Sequence, residues 1–187
     1  MRRIIEFASV IFLAACVSAP PPHEVPPRPP RESIAQFALE ARASIKQSNR
    51  ADTLRLTWQH SALDDDIGFA SPLGNVMAEL QRDSTGARWT TEDGESYEAR
   101  SPDTLMAKLT DTPVPLDSLA LWVVGRVSSV AQNVQRDALG RLTQGNDGGW
   151  QVSIQSYEST QANALPSLIE VEHGSLRIRV AIEDWQI

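Results

Sequence analysis

The 187-residue chain carries 17 basic and 24 acidic side chains, a formal net charge of −7, and one cysteine. An acidic balance excludes nucleic acid and a bare anionic lipid surface as partners, because both select Lys/Arg patches. A lone thiol excludes an internal disulfide, so stability must come from a core. About 150 residues remain beyond the N-terminal segments, enough for one domain with a single hydrophobic core.

Residues 1–15 read as a lipoprotein signal peptide, with Arg2 and Arg3 at the positive end and an apolar core from Phe7 to Ala15. Roughly nine apolar residues are too few to span a bilayer, which needs about 20. The run Leu13-Ala14-Ala15-Cys16 resembles the bacterial lipobox, in which a small residue precedes the cysteine that is acylated and becomes the mature N-terminus. Cys16 is therefore the predicted lipidation site. Cleavage before it removes Arg2, Arg3 and Glu6 and moves the formal charge from −7 to −8.

Residues 16–31 form the next segment, the lipidated cysteine and a tether rich in proline (Pro20, Pro21, Pro22, Pro26, Pro27, Pro29, Pro30). Polyproline II rises about 3.1 Å per residue, so this tether can hold a domain up to roughly 45 Å from a membrane. The globular domain is predicted over residues 32–187. Ile34, Phe37, Ala38 and Ala41 fall at helical spacing after Ser33, which predicts a short amphipathic helix.

Period two then takes over. Leu54, Leu56 and Trp58 alternate with polar residues, Ile67 and Phe69 follow an expected solvated turn at Asp64-Asp65-Asp66, and Val76, Ala78 and Leu80 follow Gly74. Trp150, Val152 and Ile154 repeat the pattern, as do Leu176, Ile178, Val180 and Ile182. Each is a strand with one wet and one dry face. Thr85-Gly86, Asp93-Gly94, Asn146-Asp147-Gly148-Gly149 and His173-Gly174 supply hairpin turns, so successive strands pair antiparallel in a curved meander. One helical insertion interrupts it. Ser101 is the expected N-cap and Pro102 the first helical residue of a helix with the stripe Leu105, Met106 and Leu109. A second helix carries Leu116, Leu119, Trp122 and Val123 and stops at Gly125. These two helices are expected to form a lid.

Catalytic groups do not converge. His23, His60 and His173 have no carboxylate or cysteine at ligand spacing, no serine sits in a Gly-x-Ser-x-Gly elbow, and no glycine loop opens a helix. Glu183 and Asp184 fall on opposite faces of a strand. No enzyme activity, metal or cofactor is expected. Trp58, Trp150 and Trp185 sit on inward strand faces and Trp122 on the lid. They either fill a core or, with Leu105 and Met106, line a hydrophobic cavity under the lid.

The globular part resembles the LolB family of outer-membrane lipoprotein receptors. The resemblance rests on Leu54-Arg55-Leu56-Thr57-Trp58-Gln59, Ser71-Pro72-Leu73-Gly74, Lys108-Leu109-Thr110 and Val114-Pro115-Leu116-Asp117-Ser118-Leu119. It continues through Trp122-Val123-Val124-Gly125, Gly149-Trp150-Gln151-Val152, Tyr157, Leu165-Pro166 and Leu176-Arg177-Ile178-Arg179 with Trp185. It implies an incomplete antiparallel β-barrel closed by helices around a cavity for acyl chains. It also implies a monomer that takes lipoproteins from the periplasmic carrier LolA and inserts them into the outer membrane. Pro72, Leu73 and Gly74 match the family's protruding loop, whose exposed leucine is thought to act at the membrane. A leucine at a turn tip is unusual on physical grounds too, since turn tips favour polar residues. Arg42 lacks the neighbouring glycine common in relatives, which leaves its role open. The alternative is an envelope assembly lipoprotein with a filled core.

Overall fold

The computed structural model describes residues 27–109 and 114–187. A single 3-10 turn, Arg31–Ser33, leads into β1 (Phe37–Gln47), β2 (Arg50–His60), β3 (Asp65–Ala70), β4 (Val76–Asp83), β5 (Gly86–Thr91) and β6 (Ser96–Ala99). Helices α1 (Pro102–Leu109) and α2 (Leu116–Val123) follow, then β7 (Gln132–Arg136), β8 (Leu142–Asp147), β9 (Trp150–Tyr157), β10 (Pro166–His173) and β11 (Leu176–Gln186). The eleven strands among the described residues join one antiparallel sheet in the order β6-β5-β4-β3-β2-β1-β11-β10-β9-β8-β7. β6 and β7 remain edges, so the barrel is open. Both are short, and the residues of β7 are all exposed, which limits edge-to-edge pairing.

The helix expected from Ile34 to Ala41 does not form. Phe37, Leu39, Ala41 and Ala43 are buried in alternation along β1. β1 is the central strand, bonded to β2 on one side and to β11 on the other. Small alanines satisfy both periods locally, and two sheet partners outweigh a weak helical preference. A bulge between Glu40 and Ala41 shifts the register against β11, so that Leu39 pairs with Trp185 while Ala41 pairs with Ile182. The extra residue, Glu183, joins Asp184 on the outer face, which corrects the expectation of opposite faces. There Glu183 pairs with Arg42 at 2.6 Å.

The hairpin turns expected at Thr85-Gly86, Asp93-Gly94, Asn146-Asp147-Gly148-Gly149 and His173-Gly174 sit where the sequence places them, whereas Asp65 and Asp66 of the expected Asp64-Asp65-Asp66 turn already belong to β3. The helix starts and stops agree as well: Thr104 N–H donates to Ser101 Oγ at 3.2 Å, and Gly125, with φ +78°, ends α2. That left-handed conformation suits glycine, and a side chain there would meet Pro166 and Arg31. Both helices lie on the concave face: α1 packs on β5 and β6, α2 on β10. Leu105, Leu116, Ala120, Trp122 and Val123 join the sheet residues in one core.

Candidate functional site: an apolar concave face with one open rim

Cross-strand pairing arranges the concave face in rows. One row runs Trp185, Leu39, Trp58, Ile67, Leu80, Trp89 across six strands. The next runs Ile182, Ala41, Leu56, Phe69, Ala78. These residues are buried except Phe69 and Trp89, which are half-buried and pack at a tilt with ring centres 5.2 Å apart. Ile45, Leu54 and Ile178 are half-buried too, and Val76 is exposed. The apolar face is thus sealed in the middle and only partly covered toward one rim, the rim that carries the β1–β2, β3–β4 and β10–β11 turns.

The opposite rim is closed by a row in which Phe37 is followed by three polar residues, His60, Asp65 and Arg82, each facing the next in register. Asp65 begins β3 and is buried, where a solvated turn was expected. It accepts from Trp58 Nε1 at 2.7 Å, sits 2.7 Å from His60 Nδ1, and pairs with Arg82 Nη2. His60 therefore has a carboxylate partner that spacing along the chain does not reveal. Arg82 continues through Nη1 to Asp117 in the first turn of α2, at 2.6 Å. A polar cleft of about 710 Å³ opens outside this row, bordered by Gln59, Asp66, Asp83 and Arg88.

The other end of α2 is held by a second buried carboxylate. Asp147 accepts from Trp122 Nε1 at 2.9 Å and from Ser128 N–H at 2.8 Å and Oγ at 2.5 Å. Burial opposes its ionisation, but these donors outweigh it and hold the carboxyl below its usual range. Trp122 also packs on Trp150, with ring centres 5.9 Å apart.

The turn Pro72-Leu73-Gly74 protrudes between β3 and β4 on the half-open rim. Ser71 N–H donates to Asn75 O and Gly74 N–H to Ser71 O, each at 2.8 Å, and Gly74 takes φ +92°. Leu73 at the tip is 91% exposed. Of the six residues singled out for a cavity, Trp58, Leu105, Trp122, Trp150 and Trp185 are buried in the common core. Met106 is half-buried. Trp150 borders a cleft of about 350 Å³ beside His173. Cys16 lies outside the described residues, as does the side chain of Leu109. Among the described residues, no group of His, Cys, Asp and Glu is placed to hold a metal ion, and no helix is long and apolar enough to cross a membrane.

Trp89 escaped the sequence reading although Ala87, Trp89 and Thr91 alternate after the Thr85-Gly86 turn. Arg82 and Asp147 carried no such signal, because their partners are 17 or more residues away.

Comparison with known proteins places this architecture. The family model described as "Outer membrane lipoprotein LolB" matches residues 35–185. An outer-membrane lipoprotein LolB of Azoarcus sp. (strain BH72) is 37% identical over 157 residues, covering 84% of this chain and 81% of its own. That of Dechloromonas aromatica (strain RCB) is 31% identical over 187 residues, covering 95% and 94%. In fold, the chain is similar to the crystal structure of a LolA superfamily protein from Nitrosomonas europaea, with a TM-score of 0.54 at 7% identity, over 83% of this chain and 87% of that one.

Proposed function

The chain belongs to the LolB family, and on that premise we propose that it is a lipoprotein receptor of the outer membrane, anchored through Cys16 and facing the periplasm. It takes lipoproteins from LolA by their acyl chains and inserts them into the membrane. The observation that carries this reading is the concave apolar face, left half-open by Leu54, Phe69 and Trp89 at the rim that bears Leu73.

Each methylene of an acyl chain left in water costs about 0.8 kcal/mol. Handover between two apolar faces avoids that cost, and no bond is made or broken. Direction requires only that this protein hold the chains more tightly than the carrier does and that the bilayer hold them more tightly still. Trp58, Leu105, Met106, Trp122, Trp150 and Trp185 line the space the chains would enter. Their close packing means that α1 and α2 must move off the sheet as cargo enters.

That same packing favours the competing reading, an envelope assembly lipoprotein whose core is permanently filled. The deciding experiment mixes the domain with LolA loaded with a lipoprotein and follows the cargo, alongside an apolar fluorescent probe that quenches tryptophan emission. Cargo transfer, with displacement of a saturably bound probe, supports the receptor. Absence of both supports the filled core.

A further inference from the structure

The base of the tether is fixed to the fold. Arg28 makes a two-pronged ion pair with Glu158, Nε to Oε1 and Nη2 to Oε2, each at 2.9 Å, and both side chains are largely shielded from water. Arg31 is buried; its guanidinium donates to Ala162 O at 2.5 Å and Ala164 O at 2.7 Å and lies over the Tyr157 ring at 5.3 Å. Both arginines thus grip the connection between β9 and β10. In an antiparallel meander successive connections alternate between rims. The order and pairing of the strands put the β9–β10 connection on the rim closed by Asp65 and Arg82, and the β3–β4 turn with Leu73 on the other.

We propose that Arg28 and Arg31 pin the tether to the rim opposite Leu73, so that a molecule anchored through Cys16 must lay its tether back along the barrel to bring Leu73 to its own bilayer. With the tether pointing straight to the membrane, the half-open rim faces away from it, toward an incoming carrier. With the tether folded back, the same rim faces the bilayer. Accepting and delivering cargo are then two orientations about one pinned base. The inference rests on the receptor reading above.

Lengths make the second orientation attainable with little to spare. β3 advances about 17 Å from Asp65 to Ala70, at about 3.3 Å per residue, and the turn that follows carries Leu73 roughly 5 Å further. β10 and β3 are separated by four strand spacings, about 19 Å measured along the curved sheet. The path over the surface is therefore roughly 30 Å. Arg28 is 12 residues beyond Cys16, which reaches about 37 Å as polyproline II. Deleting residues 18–23 leaves Val17 beside the anchor and cuts the reach to about 19 Å, shorter than the path.

The test uses the full-length lipidated chain in dilute vesicles of phosphatidylethanolamine and phosphatidylglycerol. Acylation consumes the Cys16 thiol, so Leu73→Cys can carry a single environment-sensitive fluorophore. With the complete tether the label should show the blue-shifted emission of an apolar site. Without residues 18–23 it should report water, while the protein still accepts cargo from LolA. Six glycine and serine residues in their place should restore the shift. Arg28→Ala frees the chain as far as Arg31, returns about 9 Å of reach, and should recover part of the signal in the shortened protein. A label that remains equally blue-shifted after the deletion overturns the inference, because tether length then limits nothing. A label in water even with the complete tether also overturns it. Cargo delivery by the unsubstituted chain, measured alongside, then tells whether the receptor reading falls too.

Discussion

Asp65 and Arg82 face each other across β3 and β4 at the closed rim, and Arg82 reaches on from that buried carboxylate to Asp117 of α2. The lid helix is thereby tied to the half of the sheet formed by β2 to β6. Its other end is tied through Trp122 to Asp147 at the β8–β9 hairpin. One helix links the two halves of an open barrel.

Arg82→Ala leaves Asp65 buried without a cation, and removing one partner of a buried pair typically costs about 3–5 kcal/mol. The Asp117 side chain is 84% exposed, so Asp117→Ala should cost under about 1 kcal/mol. Urea denaturation of the two variants measures the difference. Equal losses would mean that Asp65 is stabilised by His60 and Trp58 alone.

Asp147→Asn should cost about 1.5 to 3 kcal/mol through weaker hydrogen bonds to Trp122 and Ser128. The wild-type carboxyl titrates below its ordinary value, so its stabilising contribution is complete above about pH 4 and is lost as pH falls through the depressed folded-state value. The variant should show a flatter acid limb in stability against pH, with altered near-ultraviolet dichroism from Trp122. An acid limb as steep as that of the wild type would assign the sensitivity to other carboxylates.

Burial pushes the Tyr157 hydroxyl up to about 12, where it donates to Leu142 O at 2.5 Å. A raised folded-state value favours the neutral form. The contribution is whole below about pH 10, the unfolded value, and disappears as pH rises toward 12. Tyr157→Phe should therefore narrow the alkaline loss of stability in that window, at the cost of one hydrogen bond, about 1 kcal/mol at neutral pH.

Leu73→Glu should fold normally and still take lipoprotein from LolA, since the side chain at the turn tip is almost wholly exposed, but should fail to release cargo into liposomes. Burying a leucine is worth about 1.5 to 3 kcal/mol, whereas an acid in the bilayer is unfavourable. Delivery at the wild-type rate would reduce Leu73 to a surface leucine.

Cys16→Ala should leave an unlipidated precursor, because only the thiol accepts the diacylglyceryl group. Metabolic labelling with fatty acid checks this, and equal label on both chains would remove the basis for the anchor.

The sequence by itself determined the strands with clean alternation, Leu54 to Trp58, Trp150 to Ile154 and Leu176 to Ile182. Turn residues of specific conformation marked their connections, and the capping residues Ser101, Pro102 and Gly125 bounded the helices. Those signals are local, and each residue carries its own. The exposed tip at Leu73 was legible for the same reason, since a leucine between Pro72 and Gly74 contradicts ordinary turn chemistry. Only the tertiary structure decided that β1 is a strand, because its alanines fit either period and the choice fell to pairing with β2 and β11. Likewise, the burial of Asp65 and Asp147, the bulge that places Glu183 beside Asp184, and the grip of Arg28 and Arg31 on the β9–β10 connection depend on partners brought close by sheet register. A buried charge is stable only where its partners converge, and convergence across strands is a property of the fold that no stretch of sequence holds alone.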